Sequence, residues 1–181
     1  MLVVLNLRSR NDPGHSLYTG EIGRLGYRVS EQYLDDRARL SANVNRLKML
    51  SRCRALPLMA RIGRERRWPQ MACICLACGT AEVEDNEHFF LRCPFYNDLR
   101  SSLFDSIQHM SHNQGFIGIV FVNFNGLSGI QQLEIVLGKR IGNAAVERGI
   151  DTAVKIFLEA AWTRRSDIRE RINVILSRTD S

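Results

Sequence analysis

Residues 75–93 read CLACGTAEVEDNEHFFLRC, and this short stretch decides how the chain around it folds. It contains two cysteines separated by two residues, then a histidine after nine intervening residues, and a third cysteine after four more intervening residues. Zinc prefers four thiolate or imidazole ligands in a tetrahedron, and a two-residue gap lets one tight turn direct two thiolates at the same point. We therefore predict one structural zinc ion whose four positions are filled by Cys75, Cys78, His88 and Cys93.

Neighbouring residues favour this geometry. Gly79 follows the second cysteine, and glycine readily adopts the left-handed backbone conformation that such turns often need. The second ligand pair is expected from a short helix that contains His88 and ends just before Cys93, because Pro94 suits the first turn of a following helix. Cys73 is a rival ligand, although its one-residue gap to the next cysteine makes a poorer turn. The alternative without a metal is three buried cysteines that act as small hydrophobic residues, beside a hydrogen-bonded histidine.

The composition favours a globular intracellular protein. The chain has 181 residues, of which 45% are hydrophobic, and this excludes a disordered tail. It has no run of about 18 apolar residues, and its apolar start is too short for a signal peptide and carries arginines on the wrong side. Five cysteines, an odd count, favour reduced thiols that hold a metal. We expect a nuclear or cytoplasmic protein that is not secreted and does not bind a membrane.

Positive charge is concentrated just before the cysteine cluster. The net charge is +6, but residues 37–67 contain ten basic residues and one acidic residue, which leaves the other residues with a net −3. A segregated basic segment is typical of a polyanion binder, because phosphate contacts release condensed counterions. The alternative is an ordinary solvated helix face. The residues predicted to contact phosphates are Lys48, Arg52, Arg54, Arg61, Arg64, Arg66 and Arg67.

The predicted fold is mainly α, with a small zinc-knuckle module embedded between helices and one candidate strand at residues 116–124. We divide the chain into an irregular extension (1–28), a basic helical segment (29–71), the zinc module (72–98) and a helical C-terminal region (99–181). Apolar spacing, caps and prolines predict helices at about 30–52, 57–63, 94–110 and 150–162, and a last helix capped by Ser166. The apolar stripes of the C-terminal helices need a partner.

Residues from about 47 to 100 resemble the zinc-binding segment that follows the polymerase domain in non-LTR (LINE-type) retrotransposon reverse transcriptases. The resemblance is carried by residues 50–54, by IGR at 62–64, by CLACG at 75–79 and by VEDNEHFFLRCPFYNDLR at 83–100. It implies the same four zinc ligands, and a segment that helps such an enzyme to hold template RNA or target DNA. The chain lacks the polymerase fingers and palm and an endonuclease domain, so the resemblance implies a detached C-terminal piece without polymerase activity.

No catalytic site is predicted. Residues 33–36 (YLDD) have the form of the aspartate pair that holds magnesium in reverse transcriptases, but they lie on an apparent capped helix rather than in a hairpin between strands. We therefore expect a non-enzymatic, zinc-stabilised module that binds RNA or DNA through phosphates. The first alternative is a structural fragment whose helical tail docks onto a polymerase or another protein. The second is a retrotransposon remnant without a function.

Overall fold

The computed structural model describes residues 42–112 and 123–179. These residues form five α-helices, which we number α1 (Ala42–Arg52), α2 (Met59–Glu65), α3 (Asn97–His112), α4 (Gly129–Val136) and α5 (Ala144–Thr179). Single turns of tighter or wider helix occupy Gln70–Cys73, His88–Arg92, Pro94–Tyr96 and Phe124–Gly126. Within the described ranges the chain has no strand, and the mainly α fold is confirmed.

The longest helix, α5, organises the hydrophobic core. It packs along α3 and also contacts α1 and α4. The sequence predicted that the apolar stripe of this helix needs a partner, and in the structure the stripe packs inside the chain itself. The buried residues of the stripe are Ile150, Val154, Phe157, Leu158 and Ala161.

Aromatic rings join the His88–Arg92 turn to this core. Phe89 and Phe90 are completely buried. The ring centroid of Phe89 lies 5.0 Å from that of Tyr96 and 5.7 Å from that of Phe157, in edge-to-face arrangements that aromatic pairs favour. The residues directly after His88, Phe89 and Phe90, therefore attach the segment that carries His88 and Cys93 to the hydrophobic core.

Two predicted helix ends are wrong. Ser166 does not cap a separate last helix, because α5 continues through it and the Ser166 hydroxyl donates to the Thr163 carbonyl at 2.6 Å. A helix interior accommodates a serine when the serine hydroxyl donates to a carbonyl of the preceding turn in this way. Gly63 does not end α2 either, since the helix continues to Glu65 and Gly63 is buried inside it.

Helix α4 was missed, although the sequence contains a signal for it. The Ser128 hydroxyl accepts from the Gln131 backbone N–H, and the Gln131 side chain accepts from the Ser128 backbone N–H, which is a capping box. The candidate strand at 116–124 lies mostly outside the described residues, and its last residue, Phe124, begins a helical turn. Outside them also lie the extension 1–28, the YLDD stretch and the first part of the helix predicted at 30–52.

Among the described helices, none is both long enough and apolar enough to cross a membrane.

Gly63→Ala tests the close packing of α2 on Cys73. A Cβ atom at position 63 would overlap the Cys73 sulfur, so the free energy of unfolding, measured by urea denaturation, should fall by about 1–3 kcal/mol. In a Cys73→Ala background the same substitution should instead stabilise the protein by about 1 kcal/mol, because alanine favours helices over glycine. Equal losses in the two backgrounds would contradict the overlap.

Candidate metal centre

A short hairpin presents the first two candidate ligands. The Cys75 N–H donates to the Glu82 carbonyl at 2.8 Å, and the Glu84 N–H donates to the Cys73 carbonyl at 2.9 Å. These bonds pair the two chain segments on either side of a turn that carries Cys75 and Cys78. Gly79 adopts the expected left-handed conformation, with φ of +67°.

The other two candidate ligands come from one helical turn, as predicted. Asp85 begins this turn: its carboxylate accepts from the His88 N–H at 2.8 Å, and its carbonyl accepts from the Phe89 N–H at 2.9 Å. At the other end, the Cys93 N–H donates to the His88 carbonyl at 2.7 Å. One turn of helix thus brings the His88 imidazole and the Cys93 thiol to the same side.

The four side chains converge on one point. Their ligand atoms all lie within 4.8 Å of one another, so these four side chains could hold a metal ion. The Cys75 and Cys93 sulfurs are 3.8 Å apart, and the Cys78 sulfur is 3.4 Å from His88 Nε2. Tetrahedral zinc with Zn–S bonds of about 2.3 Å would hold two sulfurs about 3.8 Å apart and a sulfur and nitrogen about 3.5 Å apart. The widest pair would need to close by about 1 Å.

Cys73 does not belong to this group. Its buried sulfur lies 3.7 Å from the Pro69 carbonyl oxygen. The structure therefore groups His88, and not Cys73, with Cys75, Cys78 and Cys93.

Glu82 fixes the orientation of the histidine. Its carboxylate oxygen lies 3.2 Å from His88 Nδ1 and can only accept, so this contact favours the tautomer in which Nδ1 carries the proton and the Nε2 lone pair is left for a metal ion. Arg92 Nε lies 3.5 Å from the same carboxylate oxygen. Histidines that bind metals usually donate to a carboxylate in this way, and the contact raises their basicity as ligands.

Without a cation, the environment of Cys75 favours its protonated thiol. The hydrogen bond with Cys93, burial and the negative charge of Glu84 together raise the pKa of the Cys75 thiol. A bound metal ion would reverse this balance, because it coordinates the thiolate and displaces the proton.

A buried ion pair lies directly behind the cysteines. Glu84 is 1% exposed and its Oε1 lies 3.7 Å from the Cys75 sulfur. Both Glu84 oxygens accept from Arg165 of α5, one of them at 2.8 Å. Burial lowers the pKa of the Arg165 guanidinium, but the Glu84 charge and hydrogen bonds outweigh this and raise it, so Arg165 stays protonated. Arg165 therefore places positive charge behind the cluster.

Arg100 adds a second buried guanidinium, which donates to the Cys93 carbonyl at 2.6 Å.

The sequence analysis did not predict the groups that support the candidate ligands, such as Asp85 and Arg165. Asp85 had a signal, an acidic residue three positions before His88 at a helix start. Arg165 had none, because it lies 81 residues from Glu84.

Two of the predicted phosphate contacts are wrong for this structure. Lys48 is completely buried: its ammonium group donates to the Val136 carbonyl at 2.6 Å and lies 3.8 Å from the Asp151 carboxylate. Arg52 is 2% exposed. Lys48 faces Asp151 of α5, and Arg52 lies one helical turn further along the same side of α1. Both are buried, so a phosphate outside the protein does not reach them. Their charge counted toward the basic segment, but sequence alone did not show which face they occupy.

The other five cations of the set are accessible. Arg54, Arg64, Arg66 and Arg67 are exposed, and Arg61 is half-buried. Arg61 pairs with Glu65 at 2.8 Å, and the Arg66 guanidinium lies 5.8 Å from the centre of the Trp68 ring. These residues lie on α2 and in the chain directly beside it, next to the metal-ligand hairpin.

Comparisons of the chain with models of protein families, with curated proteins and with solved structures find no match.

Glu82→Gln tests the role of the carboxylate beside His88. Glutamine keeps the shape but weakens the contact with Nδ1, so the zinc dissociation constant should rise about tenfold. Competition with a chromophoric chelator measures this change. Glu87→Gln is the matched control, since Glu87 pairs with Arg92 but does not contact His88. Equal effects of the two variants would show that only the net charge matters.

Proposed function

We propose that the chain binds one Zn²⁺ ion through Cys75, Cys78, His88 and Cys93. The observation that supports this is the convergence of the four ligand atoms to within 4.8 Å of one another, with one sulfur–sulfur pair and one sulfur–nitrogen pair already at the separations of a zinc tetrahedron. A filled set of four protein ligands leaves no position for a reactive water, so the ion would be structural rather than catalytic, and the proposed role of the chain is non-enzymatic. Reduced thiols of this kind suit a nuclear or cytoplasmic compartment.

We propose further that the zinc site orders a surface that binds RNA or DNA. The metal-ligand hairpin holds α2 directly, because the Met59 N–H at the start of α2 donates to Glu84 at 2.9 Å and the Ala60 N–H donates to the Glu84 carbonyl at 3.2 Å. Helix α2 also packs against the Gln70–Cys73 turn. The surface consists of five arginines, which we call the arginine surface: Arg54, Arg61, Arg64, Arg66 and Arg67.

This proposal agrees with the resemblance to the zinc-binding segment of retrotransposon reverse transcriptases, which implies the same ligands and a nucleic-acid partner. Trp68 has two candidate roles. Its ring, which lies beside the Arg66 guanidinium, could stack on an unpaired base, and its half-buried position also suits a cover on the zinc knuckle.

A protein partner on the helical tail is the second proposal. Since residues 150–161 bury their stripe inside the chain, such a partner would have to use another surface.

Metal content tests the first part of the proposal. Protein purified under reducing conditions should contain about one zinc per chain by mass spectrometry. Cys93→Ser should lose most of it, because it removes one of four ligands. Cys73→Ser should keep it, because that sulfur faces Pro69 instead. Zinc-free protein, or equal loss in the two variants, would contradict the assigned ligands.

The dependence of binding on salt tests the second part. If the arginine surface contacts phosphates, the slope of log K against log salt for a single-stranded oligonucleotide should fall by about 0.7 for each arginine removed. Arg64→Gln and Arg67→Gln should each show this change in a fluorescence anisotropy titration. Arg148→Gln removes an exposed charge on α5 and serves as the control. Salt-independent binding, or the same slope in all three variants, would refute phosphate contacts at this surface.

A further inference from the structure

Arg100 is a buried cation whose hydrogen-bond acceptors are both neutral. It is 6% exposed and lies in the first turn of α3. One terminal nitrogen of its guanidinium, Nη2, donates to the Cys93 carbonyl at 2.6 Å and to the side-chain oxygen of Asn97. The other, Nη1, is buried and has no hydrogen-bond partner in the described chain. No carboxylate among the described residues therefore compensates this positive charge.

A cation in this position is unfavourable unless an anion lies nearby. Removing a guanidinium from water costs free energy that a counter-charge or a full set of hydrogen bonds must offset. The start of α3 adds a smaller cost, because the positive end of a helix dipole disfavours cations. Burial lowers the pKa of the Arg100 guanidinium, and the group whose negative charge opposes this is the Cys93 thiolate. The counter-charge is therefore expected on the side of Cys93.

A filled metal centre would carry such a charge. Three thiolates contribute −3, a zinc ion +2 and a neutral imidazole nothing, so the centre has a formal charge of −1. Two other cations beside the cluster already have carboxylate partners. Arg165 pairs with Glu84, and the exposed Arg92 lies near two glutamates. Arg100 is the buried cation beside the ligands that has no such partner among the described residues.

We propose that Arg100 is the counter-charge of the zinc–thiolate centre, and that it holds the Cys93 end of the ligand-bearing turn through the Cys93 carbonyl. This inference rests on the proposed binding of zinc. It makes Arg100 a positioning residue that does not touch the ion. The direction of its side chain agrees, because side chains on a helix point back toward the helix start, and Cys93 precedes α3.

Arg100→Gln and Arg100→Lys separate the charge from the hydrogen bond. Both variants keep a donor for the Cys93 carbonyl, but only lysine keeps the positive charge. Competition with a chromophoric chelator measures the zinc dissociation constant of the full-length, reduced protein. Arg100→Gln should raise it about 10- to 100-fold, and Arg100→Lys by less than about threefold. Arg92→Gln is the matched control: it removes an exposed charge directly beside Cys93 and should raise it by less than about threefold.

A double-mutant cycle with Cys78→His tests whether the effect depends on the charge of the centre. Cys78 is half-buried, and histidine also binds zinc in tetrahedral sites, so this variant keeps four ligands while the filled centre becomes neutral. In this background Arg100→Gln should raise the zinc dissociation constant by less than about threefold, because there is no net negative charge left to compensate. The same loss in both backgrounds would show that Arg100 acts through local structure alone, and would overturn the inference.

Equal losses in Arg100→Gln and Arg100→Lys would also overturn it, and so would the failure of both variants to fold with zinc, as followed by circular dichroism. Folding and normal zinc binding of the lysine variant alone would support a requirement for the charge. If wild-type protein binds zinc and Arg100→Gln binds it equally well, this inference is wrong and the proposed function stands. If wild-type protein binds no zinc, both are wrong.

Discussion

The buried Glu84 carboxylate joins three parts of the structure, and the candidate metal centre depends on it. It accepts from the start of α2 at Met59, pairs with Arg165 of α5, and lies beside the Cys75 sulfur. Removing one partner of a buried ion pair typically costs about 3–5 kcal/mol, because the other charge is left without compensation. One carboxylate therefore contacts the candidate metal ligands, helix α2 and helix α5. A change in any of these three parts is expected to affect the positions of the other two.

The contacts of Glu84 suggest how a metal ion with four protein ligands would contribute to binding of a partner, by ordering the surface beside it, rather than to catalysis. Four thiol and imidazole groups near one point form a cluster that is hard to keep together in the absence of a cation, because the thiolates repel one another and the thiols are poor hydrogen-bond donors. A cation would hold the hairpin and the His88–Arg92 turn together, and through Glu84 it would fix α2. The backbone that carries the exposed arginines on and beside α2 would then keep a constant position, so that the proposed phosphate contacts would cost less ordering entropy.

Local signals in the sequence were sufficient to predict that Cys75, Cys78, His88 and Cys93 cluster, but they did not predict the long-range packing. The spacing of the two cysteines, His88 and Cys93 indicates one site because each pair lies within a single turn of chain. The burial of Lys48 depends instead on Val136 and Asp151, which are far away in sequence, so charge alone counted it with the exposed cations. Arg165 was missed for the same reason. Ser166 shows the converse error, since a local cap signal was overridden by the continuous packing of α5 on the core.

X-ray absorption spectroscopy at the zinc edge on protein loaded with one equivalent of zinc tests the central claim most directly. The account predicts a first shell of about three sulfurs at about 2.3 Å and one nitrogen at about 2.0–2.1 Å, with the imidazole pattern of a histidine in the outer shells. In Cys75→Ser the sulfur count should fall to about two. A shell dominated by oxygen, or one in which the sulfur count is unchanged in that variant, would contradict the assignment of the four ligands to a single closed site.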